Sequence, residues 1–99
     1  MRVLSGILND SLAYYQRLER DLKRRLARLP HGSVKRRRIK GHAYYYLQHR
    51  NGGKVVHRYL GRQKPVELLK RIQERRQLKQ ELAKVRAALR LLPRRKLTA

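Results

Sequence analysis

Ninety-nine residues carry 28 Lys and Arg against six Asp and Glu, a formal net charge of +22, and no cysteine. That length accommodates one domain with a modest core and leaves no room for a second, and the absence of cysteine excludes disulfides, thiolate metal sites and thiol catalysis. No apolar run approaches the roughly 18 residues of a membrane span, and Met1 to Leu8 is too short for a signal-peptide core, so a cytoplasmic protein without membrane contact is expected.

From Asn9 to Leu29 the apolar residues Leu8, Leu12, Tyr15, Leu18, Leu22, Leu26 and Leu29 recur at three and four, which predicts a helix over 9–29. Asn9 or Asp10 can cap it, and Pro30 with Gly32 stops it, because proline disfavours helix at the residue before it.

Between Ser33 and Gly61 three runs rich in β-branched and aromatic residues are separated by Lys40-Gly41-His42 and Asn51-Gly52-Gly53, the pattern of two successive hairpins. This predicts a three-stranded antiparallel meander over 33–61. A two-residue turn at Lys40-Gly41 puts Val34 on the Leu47 face and Lys35 and Arg37 beside Tyr44 and Tyr46. A second turn at Asn51-Gly52 sets Leu47 opposite Val56, Tyr45 opposite Arg58 and Ala43 opposite Leu60. A three-residue loop through Gly53 sets Tyr45 opposite Tyr59 instead, and both readings stay open. On the first reading Ala43, Tyr45, Leu47, Val56 and Leu60 form a covered face. Lys35, Arg37, Tyr44, Tyr46, Gln48 and His57 form an open one.

Pro65 suits a first helical turn and Glu67 favours it electrostatically, so a second helix is predicted over 65–92. Leu68, Leu69, Ile72, Leu78, Leu82, Val85, Leu89 and Leu92 form its apolar side; Pro93 closes it, and 93–99 read as a basic tail. The fold class is therefore α+β, one domain of helix, meander and helix, the two helices pairing as an antiparallel hairpin. Spacing of seven, as in Leu78, Val85 and Leu92, suits a homodimer equally well.

Charge is distributed unevenly. The segment before His31 holds seven basic and three acidic residues, and Gln63 to Leu92 holds nine and three. The run from His31 to Arg62 has nine basic residues, all four histidines and no carboxylate. A sheet so charged needs a polyanion to face. Lys35, Arg36, Arg37, Arg38 and Lys40 occupy both faces of the first strand and its turn, and Arg50, Lys54 and Arg58 continue the positive surface along the second hairpin. Charge on an edge strand also serves to block unwanted strand pairing, but the absence of any glutamate there favours phosphate contact. Tyr44 and Tyr46, with Gln48 and His57 beside them, offer flat faces and hydrogen-bonding groups to nucleic acid, whereas Tyr45 belongs to the core.

Glu67, Glu74 and Glu81 stand seven apart on one helical stripe and do not converge as a catalytic pair would. Their expected partners are Lys70, Arg71 or Lys84, or Arg17 and Arg24 of the first helix. His49 and His57 lie on neighbouring strands and could approach each other, but two imidazoles without a carboxylate or thiolate make a poor metal site. No serine sits in a nucleophile motif, and Gly52-Gly53 lacks the context of a phosphate-cradling loop. The sequence thus predicts a protein that is not an enzyme and takes no metal and no cofactor.

Gly41-x-x-Tyr44-Tyr45-Tyr46-Leu47, Gly53-Lys54 and Tyr59-Leu60-Gly61 together resemble the pattern of an uncharacterised family of short basic prokaryotic proteins with a helix, a small sheet and a second helix. The stretch from Lys35 to Gly61 is also similar to the opening segment of some DDE transposases, although none of their catalytic carboxylates has a counterpart. The resemblance implies a DNA-transaction setting, a mobile element or its regulator. The expected function is nucleic-acid binding, with duplex DNA ahead of RNA and a nucleoid location if DNA is the target. A small sheet fits the major groove, while RNA could stack unpaired bases on Tyr44 and Tyr46. The alternative of another class is a module that dimerises or docks on a larger nucleic-acid-processing protein.

Overall fold

The computed structural model describes the backbone of residues 2–93 and the side chains of residues 5–93. Helix α1 spans Arg2–Ala27; strands β1 (Ser33–Ile39), β2 (His42–Asn51) and β3 (Lys54–Gly61) follow, and helix α2 spans Val66–Leu91. This is the expected α+β order of helix, antiparallel sheet and helix. The expected basic tail lies, from residue 94 on, outside the described residues.

Helix α1 starts at Arg2, so Asn9 and Asp10 lie inside it and cap nothing. The stretch ahead of them contains no proline, and its one glycine, Gly6, costs a helix only about 1 kcal/mol. At the other end the Arg28 N–H donates to the Arg25 carbonyl at 3.2 Å and closes a last tight turn. Leu29 is already outside the helix, as the proline that follows demands. In α2 the Leu69 N–H donates to the Pro65 carbonyl at 3.0 Å, so the proline heads the first turn.

The chain divides into two compact units, one of α1 with α2 from Gln77 onward, the other of Leu29–Arg76. In the helical unit Leu12, Leu22, Leu78, Leu82, Val85 and Leu89 are buried, Leu22 to 1 % exposure. Each such side chain contributes about 1.5–3 kcal/mol relative to exposure. Arg86 Nε donates to Glu19 Oε2 at 3.2 Å, and Leu12 and Gln16 line a shallow cleft with Leu89 and Arg90. Early residues of α1 thus meet late residues of α2, and the helices run antiparallel here, one of the two pairings that the leucine spacing allows. Arg24 pairs with Asp21 of its own helix at 3.8 Å, and Glu67 with Lys70 at 3.8 Å.

The sheet unit has strand order β1-β2-β3, both pairs antiparallel. The first hairpin has the expected register, with Val34 opposite Leu47, Lys35 opposite Tyr46 and Arg37 opposite Tyr44. Its turn residues Lys40 and Gly41 both take positive φ, 52° and 82°, the turn that suits the twist of a two-residue hairpin.

The second hairpin follows neither expected register. Asn51 pairs with Lys54, the turn is Gly52-Gly53, and Leu47 stands opposite Arg58 and His49 opposite Val56. Both turn residues must be left-handed, and Gly52 and Gly53 take φ 58° and 82°. Two glycines adopt that conformation without the Cβ penalty that Asn51 would carry. The register moves by two residues, so the faces are kept: Val56 and Arg58 remain on the Leu47 side. A bulge follows, with Tyr46 opposite Tyr59 but Tyr45 opposite Gly61, so that Leu60 is the extra residue and does not face Ala43.

Gly32, ahead of β1, has φ 121°, and a Cβ there would lie 2.6 Å from the Gln48 carbonyl oxygen. Only glycine lets this backbone approach β2 so closely. Leu47 and Ile72 are the buried apolar side chains described in this unit, and Val34, Ala43, Tyr45, Val56 and Leu60 are half-buried.

Candidate nucleic-acid interface

Alternation along each strand sorts the candidate residues. Lys35 and Arg37 of β1, Tyr44, Tyr46, Gln48 and Arg50 of β2, and His57 of β3 share one face. The predicted open face is therefore assembled by the register observed. Arg36, Arg38 and Arg58 stand on the Leu47 side, where all three are nevertheless exposed, and Arg36 and Arg38 border a surface depression. Lys54 has the same parity as Arg58, and Lys40 sits in the first turn. The structure brings together seven of the twelve candidates and leaves the other five on the opposite side or at a turn.

At the centre lie three tyrosines. The Tyr59 ring is 5.4 Å from that of Tyr46 and 6.3 Å from that of Tyr44, tilted by 54° and 45°, within the range of attractive aromatic contact. The Arg37 guanidinium lies 5.4 Å from the Tyr46 ring centre and that of Arg62 lies 5.9 Å from the Tyr44 ring centre. A cation over a ring face at this distance is attracted by the ring quadrupole, which orients both guanidinium groups over the tyrosines.

Arg62 reaches this face because of the bulge. If the pairing of Tyr46 with Tyr59 continued regularly, Gly61 would oppose Tyr44 and Arg62 would fall on the Leu47 side. The extra residue, with Gly61 at φ 118°, moves Arg62 by one position and brings it over Tyr44. There it donates to His42 Nδ1 at 2.7 Å, which leaves the proton of the neutral imidazole on Nε2.

Sequence reasoning left Tyr59 and Arg62 out of the site. For Tyr59 the available signal was alternation from His57, two residues before it. For Arg62 it was Gly61, because a glycine at the end of a strand suggests a bulge, and a bulge changes which side chains follow onto a face. The six carboxylates of the chain fall on α1 and α2, so no acidic residue enters the sheet.

His49 and His57 do not approach each other as expected. They oppose Val56 and Gln48 in adjacent rows and so lie on opposite faces, and His49 packs edge-on to His31 with ring centres 6.2 Å apart. Among the described residues no three His, Cys, Asp or Glu are placed to hold a metal ion, and no helix is long and apolar enough to cross a membrane.

The family model described as "Domain of unknown function (DUF6788)" matches residues 12–71, which takes in most of α1, the whole sheet and the start of α2. No curated protein and no solved structure matches the chain.

Proposed function

We propose that this chain, which belongs to the DUF6788 family, is a non-enzymatic nucleic-acid-binding protein that meets its target with the tyrosine face of the sheet. The observation that carries the reading is the clustering of Tyr44, Tyr46 and Tyr59 between Arg37 and Arg62, in a segment with nine cations and no carboxylate. Phosphate contacts by Lys35, Arg37, Arg50 and Arg62 would dominate the affinity, and such contacts release counterions on binding.

The absence of a nucleophile motif and of converging carboxylates in the sequence supports a binding role over a catalytic one. The similarity of Lys35 to Gly61 to the opening of some DDE transposases favours a prokaryotic DNA transaction, such as that of a mobile element, as the setting. Exposed Ile7, Tyr14 and Leu91 on the helices support a second reading, docking on another protein or on a second copy.

Fluorescence anisotropy with labelled DNA across a salt series tests the first reading. Affinity should fall steeply with salt, with a logarithmic slope of about −0.7 to −0.9 per phosphate contacted. Arg37→Ala combined with Tyr46→Ala should weaken binding at fixed salt. Unchanged affinity in a folded double variant would remove the sheet from the site.

A further inference from the structure

We infer that the nucleic acid is unpaired where it meets the sheet, with a base stacked on Tyr59. This rests on the nucleic-acid reading above and goes past it, because charge alone serves duplex and single strand equally.

Three features of the tyrosine face distinguish them. The first is its arrangement in rows. Register places Lys35, Tyr46 and Tyr59 in one row across β1, β2 and β3, and Arg37 and Tyr44 in the next, which Arg62 completes through the bulge. With strands about 4.8 Å apart, each row offers aromatic surface and cationic charge within roughly 10 Å. A single strand crossing the sheet could therefore place bases on rings while its phosphates reach cations at the edges.

The second feature is the state of the rings. Guanidinium groups already lie over Tyr46 and Tyr44, whereas Tyr59, on an edge strand, is 54 % exposed. An edge position lets a base plane approach the ring without displacing a packed side chain. Stacking of this kind is tolerant of sequence, because every base has a π face.

The third is a pair of exposed apolar side chains at the two ends of the same face. Ile39 on β1 and Val55 on β3, at 48 % and 47 % exposure, lie on the same face as Tyr59, two rows to either side of it. Phosphate binding gives no reason to hold such groups in water. A duplex turns its base planes inward and presents phosphates and base edges, so it would leave this surface uncovered. An unpaired strand has free base planes that would cover it. A peptide could cover it as well, but the nine cations with no carboxylate favour a polyanion.

The test uses the full chain at one fixed salt concentration. The probes are a labelled mixed-sequence DNA oligonucleotide, the same oligonucleotide annealed to its complement, and the RNA strand of that sequence. The single strands should bind more tightly than the duplex, and the DNA and RNA strands compared directly decide which backbone is preferred. Tyr59→Leu, which removes the ring and keeps bulk, should weaken single-strand binding about 5- to 150-fold and duplex binding distinctly less. Tyr59→Phe should retain the single-strand affinity. With the unaltered protein, 2-aminopurine in the single strand should be quenched on binding, a readout independent of whether any variant folds. Tighter duplex binding, equal loss on both probes, or an unquenched 2-aminopurine would overturn the stacking inference while leaving nucleic-acid binding intact. Failure to bind any of the three would overturn the underlying reading as well.

Discussion

In the helical unit six leucine and valine side chains are buried, and Glu19 stands 3.2 Å from Arg86. In the sheet unit the described core is Leu47 and Ile72, and the nine cations from His31 to Arg62 have no carboxylate among them. Helix α2 is common to both, its early turns in one unit and its later turns in the other. The difference teaches where each unit finds its stability. The first supplies most of the apolar burial and one ion pair between its helices, although it too carries far more Lys and Arg than Asp and Glu. The second is held by two strand ladders and few buried side chains, against the repulsion among its own cations.

The largest effect should come from opening the better packed unit. Leu22→Ala removes the most deeply buried side chain and should cost about 2–5 kcal/mol in chemical denaturation. Hydrogen exchange on the same variant sharpens the comparison. Lost protection confined to the helical unit would show that the units open separately, and equal loss in β2 would show one cooperative structure.

Next in size is Gly32→Ala. It combines a left-handed backbone at φ 121° with a Cβ placed 2.6 Å from the Gln48 carbonyl oxygen, so either β1 or β2 must move. A loss of about 2–3 kcal/mol is expected, in the range of backbone strain with a clash added. Gly53→Ala isolates the strain alone, because its φ of 82° is also left-handed while a Cβ there would meet nothing within 4 Å. It should cost about 1–2 kcal/mol, and the difference between the two variants measures how rigidly Gly32 is held against β2. Similar losses would mean that the contact yields freely.

These glycines also mark how far the fold was legible in the sequence. Leucine spacing located the helices, while leaving their pairing with each other or with a second copy equally open, and two glycine punctuations located the hairpins, because both signals are local. The first register followed from Lys40-Gly41, the sole pair there able to make a tight turn. The second did not, because Asn51-Gly52 and Gly52-Gly53 are both good turns in isolation. The choice between them depends on which pair bears two positive φ angles more easily. The bulge at Leu60 was invisible to alternation, which assumes a constant period, and with it went Arg62. Tyr59 was legible, because it lies two residues beyond His57 and shares its face on the Asn51-Gly52 register as well. Thus the face holding Tyr44, Tyr46 and Tyr59 could be read from the strand period, but Arg62, which completes it, required the bulge.

The smallest effect separates the units by sign. Glu19→Gln removes the ion pair with Arg86, whose side chains are 25 % and 48 % exposed. Water screens a pair this open, so the loss should be no more than about 1 kcal/mol. Added salt should shrink even that difference, because the Debye length falls from about 10 Å at 0.1 M to about 3 Å at 1 M. The run from His31 to Arg62 has no carboxylate, so salt there screens repulsion, and the β2 amides should become more protected over the same salt range. Hydrogen exchange in low and high salt reads both at once. Opposite trends would show that the Glu19–Arg86 attraction and the repulsion among the cations of the sheet are felt separately. A sheet unit that loosens as salt rises would mean that its cations are already satisfied by the fold, and the polyanion would no longer be needed to explain them.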